Sequence, residues 1–275
     1  MQDIITGLFE FRYTAVFIFE TTMKSLPLTA RTETTLLRQP KQAFVFARDI
    51  NGKYVHDEEE VKSKHLSYYY FPDRQIDENH DLLAGFKEFQ KIPEEENLGD
   101  FDALLRGLIQ YEKHTQTKVN ADIVAFRGLM TKLLQIPFER KEPVDLNVVS
   151  YDGQIFITND PDIELRRRDQ ELSGLEPKTA EFRQKCEYSG YKFEQLVTIP
   201  TPWVQASRKQ ITSRHKTPVN NYEQFISVVT SKIGLVRTLL AGEVDCVWNY
   251  VPDASSDKKD DILLHYVELK TSKLV

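Results

Sequence analysis

Cysteine is scarce in this chain, with only Cys186 and Cys246 among 275 residues. Two isolated cysteines exclude a disulfide framework, and no CxxC or paired Cys/His spacing predicts a zinc site. Long hydrophobic runs are also missing, because the most apolar terminal stretch, residues 13–19, is far shorter than a membrane span. The acidic start lacks the basic region of a signal peptide. These absences predict a soluble, intracellular protein.

An excess of positive charge is the third absence. The chain has 36 Lys and Arg against 42 Asp and Glu, a net charge of −6, so a nucleic-acid partner would have to bind a local patch. The triplet Arg166-Arg167-Arg168 could supply a basic patch of this kind. The run SYYYFPD at residues 67–73 carries no positive charge, but its rings could stack on bases. Alternatively, the triplet lies on a solvated helix or loop and the tyrosines fill an edge of the core.

What the chain does contain is an ordinary globular composition. Hydrophobic residues make up 40% and charged residues 28%, enough for a substantial core at this length. Residues 1–30 include the β-rich run GLFEFRYTAVFIF without a nearby partner. We therefore predict an atypical N-terminal extension over residues 1–30 and a single domain over residues 31–275.

Periodicity predicts the main elements of this domain. Apolar residues recur at helical spacing after Asp100, a good helix cap, and again from near Asn120 to Pro137. The second predicted helix carries Arg127 beside its apolar stripe. The segments VDLNVVS and QIFIT, joined by a turn at residues 151–154, predict a β-hairpin. Further strands are predicted in QFISVVTS, RTLLAGEVDCVWNYV and ILLHYVELKTS.

Charged residues share faces in the last two predicted strands. Alternation along GEVDC places Glu243 and Asp245 on one face, and alternation along VELK does the same for Glu268 and Lys270. If these strands pair antiparallel through the polar loop between them, the register that sets Asp245 opposite Glu268 also sets Glu243 opposite Lys270. Three carboxylates and one ammonium would then meet, with opposed Cβ atoms about 5 Å apart.

Such a patch can be interpreted either as a metal-binding catalytic site or as ordinary surface residues. A hard divalent cation would neutralise the carboxylates, and an all-oxygen ligand set favours magnesium or manganese over zinc. The cation would bind a scissile phosphate and lower the pKa of an attacking water, and Lys270 would orient or activate that water or stabilise charge. Spacing alone equally permits solvent-facing residues on amphipathic strands, with a Glu–Lys ion pair between them.

An ordered set of segments resembles one known family. ADIVAFRGLMTKLL, SGYKFEQL, ISVVTS, GEVDC and HYVELKTSK are similar, in this order and spacing, to successive motifs of the DXO/Rai family of RNA 5′-end quality-control enzymes. RQPK near Arg38 and YYYFPD near Tyr68 resemble its Rai branch. The resemblance extends from about Leu36 to Lys273.

This resemblance implies a fold and a set of site residues. The fold would be α+β, a single domain of mixed β-sheets flanked by helices, related to the PD-(D/E)xK nucleases. A guanidinium fork suits a position facing phosphate oxygens. The implied residues are Glu194, Glu243, Asp245, Glu268 and the main-chain carbonyl of Leu269 for metal, Lys270 and Glu194 for catalysis, and Arg127 for substrate phosphate.

The implied function is a metal-dependent hydrolase of RNA 5′ ends, located in the nucleus or cytoplasm, with Mg²⁺ or Mn²⁺ as cofactor. Its reactions would be release of pyrophosphate, removal of incomplete or NAD caps, and 5′→3′ degradation of the exposed chain. The main alternative is a non-catalytic partner that stabilises a nuclear 5′→3′ exoribonuclease. A third is a DNA nuclease of the broad PD-(D/E)xK class.

The family's sequences continue beyond the ELK motif with a helix, strands and a glutamine-bearing motif, whereas this sequence ends five residues after Lys270. We therefore expect the domain to be C-terminally incomplete, with part of its sheet uncovered. The resulting loss of burial predicts poor solubility or oligomerisation, and weak activity, for the chain expressed alone.

Overall fold

The computed structural model describes residues 36–73, 77, 80–97, 101–136, 138, 144–252 and 260–272. The N-terminal extension predicted over residues 1–30 lies outside the described residues, so the domain boundary at residue 31 stays a prediction. The predicted helix cap at Asp100 also lies outside them. Within the described ranges, no helix combines the length and apolar character needed to cross a bilayer.

The described ranges contain eleven strands and six α-helices. The strands are β1 (Leu37–Arg48), β2 (Tyr54–Val55), β3 (Tyr68–Tyr69), β4 (Ile123–Phe126), β5 (Leu146–Tyr151), β6 (Gln154–Asn159), β7 (Thr198–Ile199), β8 (Gln224–Ile233), β9 (Val236–Glu243), β10 (Cys246–Val247) and β11 (Tyr266–Val267). The helices are α1 (Glu58–Lys64), α2 (Phe101–Thr115), α3 (Arg127–Gln135), α4 (Pro161–Ser173), α5 (Pro177–Val197) and α6 (Arg208–Ser213).

The strands form two mixed sheets. The larger has seven strands in the order β2-β1-β8-β9-β4-β6-β5, with β4 parallel to both of its neighbours and the other pairs antiparallel. The smaller has four short strands in the order β11-β10-β3-β7, of which only β10 and β3 are parallel. The prediction of mixed sheets flanked by helices is confirmed.

Alternation along β1 builds the core on both faces of the larger sheet. Phe44 and Phe46 pack with Leu104 of α2 in one buried cluster. Their neighbours Val45 and Ala47 point the other way and pack with residues of α1 and β10. Each large apolar side chain buried in this way contributes about 1.5–3 kcal/mol. The larger sheet is therefore covered by α2 on one face and by α1 and the smaller sheet on the other.

The predicted hairpin forms as β5 and β6. Tyr151 pairs with Gln154 across a two-residue turn, and the turn residues Asp152 and Gly153 have φ values of 47° and 75°. Positive φ at both central positions is the type I′ geometry, which matches the twist of the flanking strands and favours glycine. The hairpin forms the edge of the larger sheet farthest from β1.

The prediction of the second helix is wrong over about its first two turns, from near Asn120 to Phe126. Residues 123–126 form β4, and the helix α3 starts only at Arg127. Val124 and Ala125 are fully buried because β4 lies between β9 and β6. A short apolar run in a parallel interior strand cannot be distinguished from a helix face by periodicity alone. The correction places Arg127 at the carboxyl end of an interior strand.

The arginine triplet lies on α4 and is engaged within the protein. Arg167 bonds to Asp145 at 2.8 Å, Arg168 pairs with Glu94, and the Arg166 Nε donates to a main-chain carbonyl one turn earlier. These contacts favour the solvated helix over a free basic patch, since the charges already have partners.

The tyrosines of the run at residues 67–73 pack against core clusters, whereas Phe71 of the same run is 68% exposed. Tyr70 is fully buried, and its hydroxyl donates to Asp77 at 2.8 Å. Tyr69 stacks on Trp248 with ring centroids 5.1 Å apart. These contacts favour the core interpretation of the tyrosines.

Candidate active site

The chain passes from one sheet to the other inside the GEVDC motif. Glu243 ends β9, where it pairs with Ile226 of β8 in the larger sheet. Three residues later Cys246 starts β10 and pairs with Val267 of β11 in the smaller sheet. The prediction of one continuous strand through this segment is wrong, because burial on two different sheets bends the chain at residues 244–245.

The predicted register is confirmed where β10 and β11 pair. Cys246 lies opposite Val267 and Val247 opposite Tyr266, which is the alignment that Asp245 opposite Glu268 requires. The ladder does not continue to Asp245 and Glu268. Instead, the main-chain N–H of Leu269 donates to Asp245 Oδ2 at 2.5 Å. The predicted pairing of Glu243 with Lys270 does not form, since Glu243 belongs to the larger sheet.

Glu194 approaches these carboxylates from helix α5. It lies in the last turn of that helix, three residues before Val197. Burial raises the pKa of Glu194 to about 8, and the negative charges of Asp245 and Glu243 add to the shift. A carboxyl group with this pKa is mostly protonated at neutral pH in the metal-free chain.

Glu243 and Asp245 also have raised pKa values. The side chain of Glu243 is exposed to solvent on one side. Many protein atoms nevertheless surround its carboxylate, and the resulting desolvation, together with the charge of Asp245, raises the pKa of Glu243 to about 7. Gln224 Nε2 donates to Glu243 Oε2 at 3.2 Å. Burial raises the pKa of Asp245 as well, against the hydrogen bond from Leu269 N–H. The two carboxylates therefore lie close enough to disfavour joint ionisation.

Glu268 differs from the other carboxylates because it forms ion pairs with two positively charged side chains. Lys270 Nζ lies 2.5 Å from one of its oxygens, and Arg127 Nη2 lies 3.3 Å from the other. Burial acts to raise the pKa of Glu268, but the hydrogen bond from Lys270 and the charge of Arg127 outweigh it and lower the pKa. The same bond raises the pKa of Lys270, so Lys270 is a cation at neutral pH.

A glycine makes room for Arg127. The side chain of Arg127 crosses over Gly242, where an added Cβ would lie 3.1 Å from Nε and 3.3 Å from Cδ. Such contacts are tighter than ordinary van der Waals distances. Gly242 therefore allows Arg127 to reach Glu268, a role that the sequence pattern did not indicate.

The predicted carboxylates lie near one another, but their oxygens do not surround a common metal position. Among the described residues, no three His, Cys, Asp or Glu side chains form a group that could hold a metal ion as they stand. The donor chemistry nevertheless fits a hard divalent cation, because the charges of Asp245, Glu243 and Glu268 all raise the pKa of Glu194 and every donor is oxygen. The assignment of individual ligands stays a prediction.

Comparison with known proteins gives the family. Residues 38–275 match the family described as RAI1 like PD-(D/E)XK nuclease. The Decapping nuclease RAI1 of Debaryomyces hansenii is 56% identical over 253 residues, covering 92% of this chain and 65% of that protein. The Decapping nuclease RAI1 of Candida albicans is 49% identical over 256 residues, covering 92% of this chain and 64% of that protein.

Solved structures agree with this match. Scheffersomyces stipitis Rai1 in complex with (3'-NADP)+ and calcium ion aligns with a TM-score of 0.84 at 50% identity, over 92% of this chain and 66% of that one. Candida albicans Rai1 in complex with pU5-Mn2+ aligns with a TM-score of 0.83 at 48% identity, over 92% of this chain and 64% of that one. The chain spans just under two thirds of the length of these relatives. It belongs to the RAI1-like PD-(D/E)XK nuclease family.

Proposed function

We propose that this chain is a metal-dependent hydrolase that acts on the 5′ ends of RNA. The observation that carries this proposal is the convergence of carboxylates from α5, β9 and the segments after β9 and β11, beside Lys270 and Arg127, in a chain of a nuclease family. Relatives named as decapping nucleases support it, as does the Mn2+ in the Candida albicans complex.

The proposed metal ligands follow from the donor set. Glu243, Asp245, Glu268 and the carbonyl of Leu269 would hold Mg²⁺ or Mn²⁺, with Glu194 acting largely through water. When bound, the cation supplies neutralising charge at the scissile phosphate and lowers the pKa of a bound water. Because these carboxylates raise one another's pKa in the metal-free chain, positive charge at this place is electrostatically favoured.

Three side chains have roles of their own in the proposed reaction. The guanidinium of Arg127 is 56% exposed and can grip two phosphate oxygens. The ammonium of Lys270, 78% exposed, can stabilise the negative charge that develops on the phosphate or the leaving oxygen. Burial raises the pKa of Glu194 to about 8 in the metal-free chain, so Glu194 would release a proton when the cation binds.

The proposed substrates are 5′-triphosphorylated RNA and RNA with an incomplete or NAD cap, with 5′→3′ degradation as a further activity. All of these reactions cleave a phosphoester or phosphoanhydride, so one site can serve them. Complexes of relatives with pU5 and with (3'-NADP)+ support this range. Residence in the nucleus and binding to a 5′→3′ exoribonuclease are further parts of the proposal, and they rest on the family resemblance.

Hydrolysis of labelled RNA tests the proposed function. RNA carrying a label on the terminal phosphate should release labelled pyrophosphate in Mn²⁺, and EDTA should reduce the rate by at least roughly 100-fold. The reason is that the metal supplies several kcal/mol of charge stabilisation. Circular DNA, which lacks a 5′ end, is the control substrate. Activity that persists in EDTA, or that is equal on circular DNA, would contradict the proposal.

A second test addresses Gly242 and Arg127. Gly242→Ala should displace the Arg127 side chain, because the new methyl group would lie 3.1 Å from Nε. The loss of a charged hydrogen bond to phosphate should raise KM for triphosphorylated RNA by roughly 10-fold. Gly128→Ala is the matched control, since a Cβ at Gly128 has nothing within 4 Å. Equal KM values for the two variants would argue against the role given to Arg127.

A further inference from the structure

Arg48 is a buried charge that the proposed mechanism does not use. It ends β1 and is 2% exposed. Burial of a guanidinium is costly unless its donors are paired. Within the described residues Arg48 forms no ion pair, and its acceptors are the carbonyls of Tyr222 at 2.7 Å and Asn221 at 3.1 Å, together with Asn97 Oδ1 at 3.3 Å. A cation held by neutral acceptors therefore lies in the interior.

These contacts attach Arg48 to the start of β8. Asn221 and Tyr222 lie three and two residues before that strand, and Arg48 is the ladder partner of its first residue, Gln224. Asn221 is itself buried, and its Oδ1 accepts from Ile92 N–H at 2.7 Å. The guanidinium and the ladder together fix the position of the strand start.

The same strand start contacts the candidate active site. Gln224 Nε2 donates to Glu243 Oε2 at 3.2 Å. Gln224 lies two residues before Ile226, so the side chains of Gln224 and Ile226 lie on the same face of β8. Ile226 is in turn the ladder partner of Glu243 on β9. A shift of the start of β8 would therefore move the donor that orients the Glu243 carboxylate.

We propose that Arg48, acting through Gln224, is a positioning residue that holds the Glu243 carboxylate in the orientation for binding a divalent cation. This inference depends on the proposed function only in taking Glu243 as a metal ligand. Groups that orient metal ligands in this way typically change metal affinity by about 10–100-fold.

Binding of Mn²⁺ to the 275-residue chain tests this role. The variants are Arg48→Lys, which keeps the charge but cannot span three acceptors, and Gln224→Leu, which removes the donor to Glu243. Arg237→Lys is the matched control, since Arg237 lies near the other end of β9 and bonds to Asp122. The readouts are free Mn²⁺ by electron paramagnetic resonance and the Mn²⁺ concentration that gives half of the maximal rise in Tm.

We expect both Arg48→Lys and Gln224→Leu to need roughly 10-fold more Mn²⁺, and Arg237→Lys to match the parent. Because the two residues act in series, the double variant should bind Mn²⁺ no more weakly than Gln224→Leu alone. A purely structural role for Arg48 would lower Tm without changing the Mn²⁺ requirement. If either single variant binds Mn²⁺ as the parent does, the inference is overturned.

The outcomes also separate this inference from the proposed function. A parent that binds Mn²⁺, with weaker binding in both variants but no hydrolysis of RNA, would support the role of Arg48 and contradict the proposed function. If the parent hydrolyses RNA while both variants bind Mn²⁺ as tightly as the parent does, the proposed function is supported and the role of Arg48 is contradicted. A parent without Mn²⁺ binding would overturn both.

Discussion

Replacing Glu243 with glutamine is expected to lower kcat/KM for Mn²⁺-dependent hydrolysis of RNA by roughly 1000-fold or more. The substitution keeps the shape of the side chain but removes the negative charge that a divalent cation requires. Glu243 stands at the end of β9, where a backbone ladder to β8 holds it in place. The fold should therefore survive while the metal site does not.

Thermal melts provide the second readout for this variant. In the absence of metal, Glu243→Gln should be at least as stable as the parent at pH 8, because burial and the charge of Asp245 already disfavour an ionised Glu243. Mn²⁺ should raise the Tm of the parent and not that of the variant. The matched control is Glu223→Gln, which removes an exposed carboxylate just before β8. Equal Mn²⁺ stabilisation of the parent and Glu243→Gln would rule out Glu243 as a ligand.

The affinity for Mn²⁺ is expected to rise with pH by on the order of 100-fold between pH 6 and pH 8. Glu194 and Glu243 have pKa values of about 8 and about 7 in the metal-free chain. Protons must leave both groups before the carboxylates bind a cation, so binding releases protons over this range. Isothermal titrations in buffers of different ionisation enthalpy would count the protons released.

Stability of the metal-free chain should change in the opposite direction. The ordinary pKa of a glutamate is 4.5, so between pH 4.5 and about pH 8 the folded chain binds more protons than the unfolded one. Its free energy of unfolding should therefore fall as pH rises through this window, and Mn²⁺ should remove that fall. Glu194→Gln should lower the number of protons released by about one. A Mn²⁺ affinity that is constant from pH 6 to pH 8 would contradict the shared site.

The sequence patterns predicted which segments come together at the candidate site, but not how their side chains are arranged there. Alternation and register arguments brought GEVDC and VELK together, and the Cys246–Val267 pair has the predicted alignment. They could not predict that Glu243 and Asp245 belong to different structural contexts, because nothing local marks the point at which a chain leaves one sheet for another. Similarly, Arg127 was placed on a helix face, whereas burial between β9 and β6 makes the preceding residues a strand.

The sequence contained little or no local signal for the roles of Arg48 and Gly242. Arg48 follows the apolar segment AFVFA, and a charge at the end of a buried strand is unusual, but two of its three acceptors lie more than 170 residues away in the chain and the third, Asn97, lies 49 residues away. Gly242 has no unusual φ in the structure and is needed only because Arg127 crosses it. Contacts of this kind depend on how separate elements pack, so no local pattern predicts them.

The order of motifs by itself determined the family, the mixed-sheet fold and the oxygen-rich chemistry of the candidate site, since donor types and strand patterns are properties of local sequence. Only the tertiary structure decided the charge states. Glu268 stays ionised because Lys270 and Arg127 reach it, whereas burial near other carboxylates raises the pKa of Glu194. Both are glutamates with the same intrinsic acidity, and electrostatic shifts depend on distance and burial. Those quantities exist only after strands and helices distant in the chain have packed together.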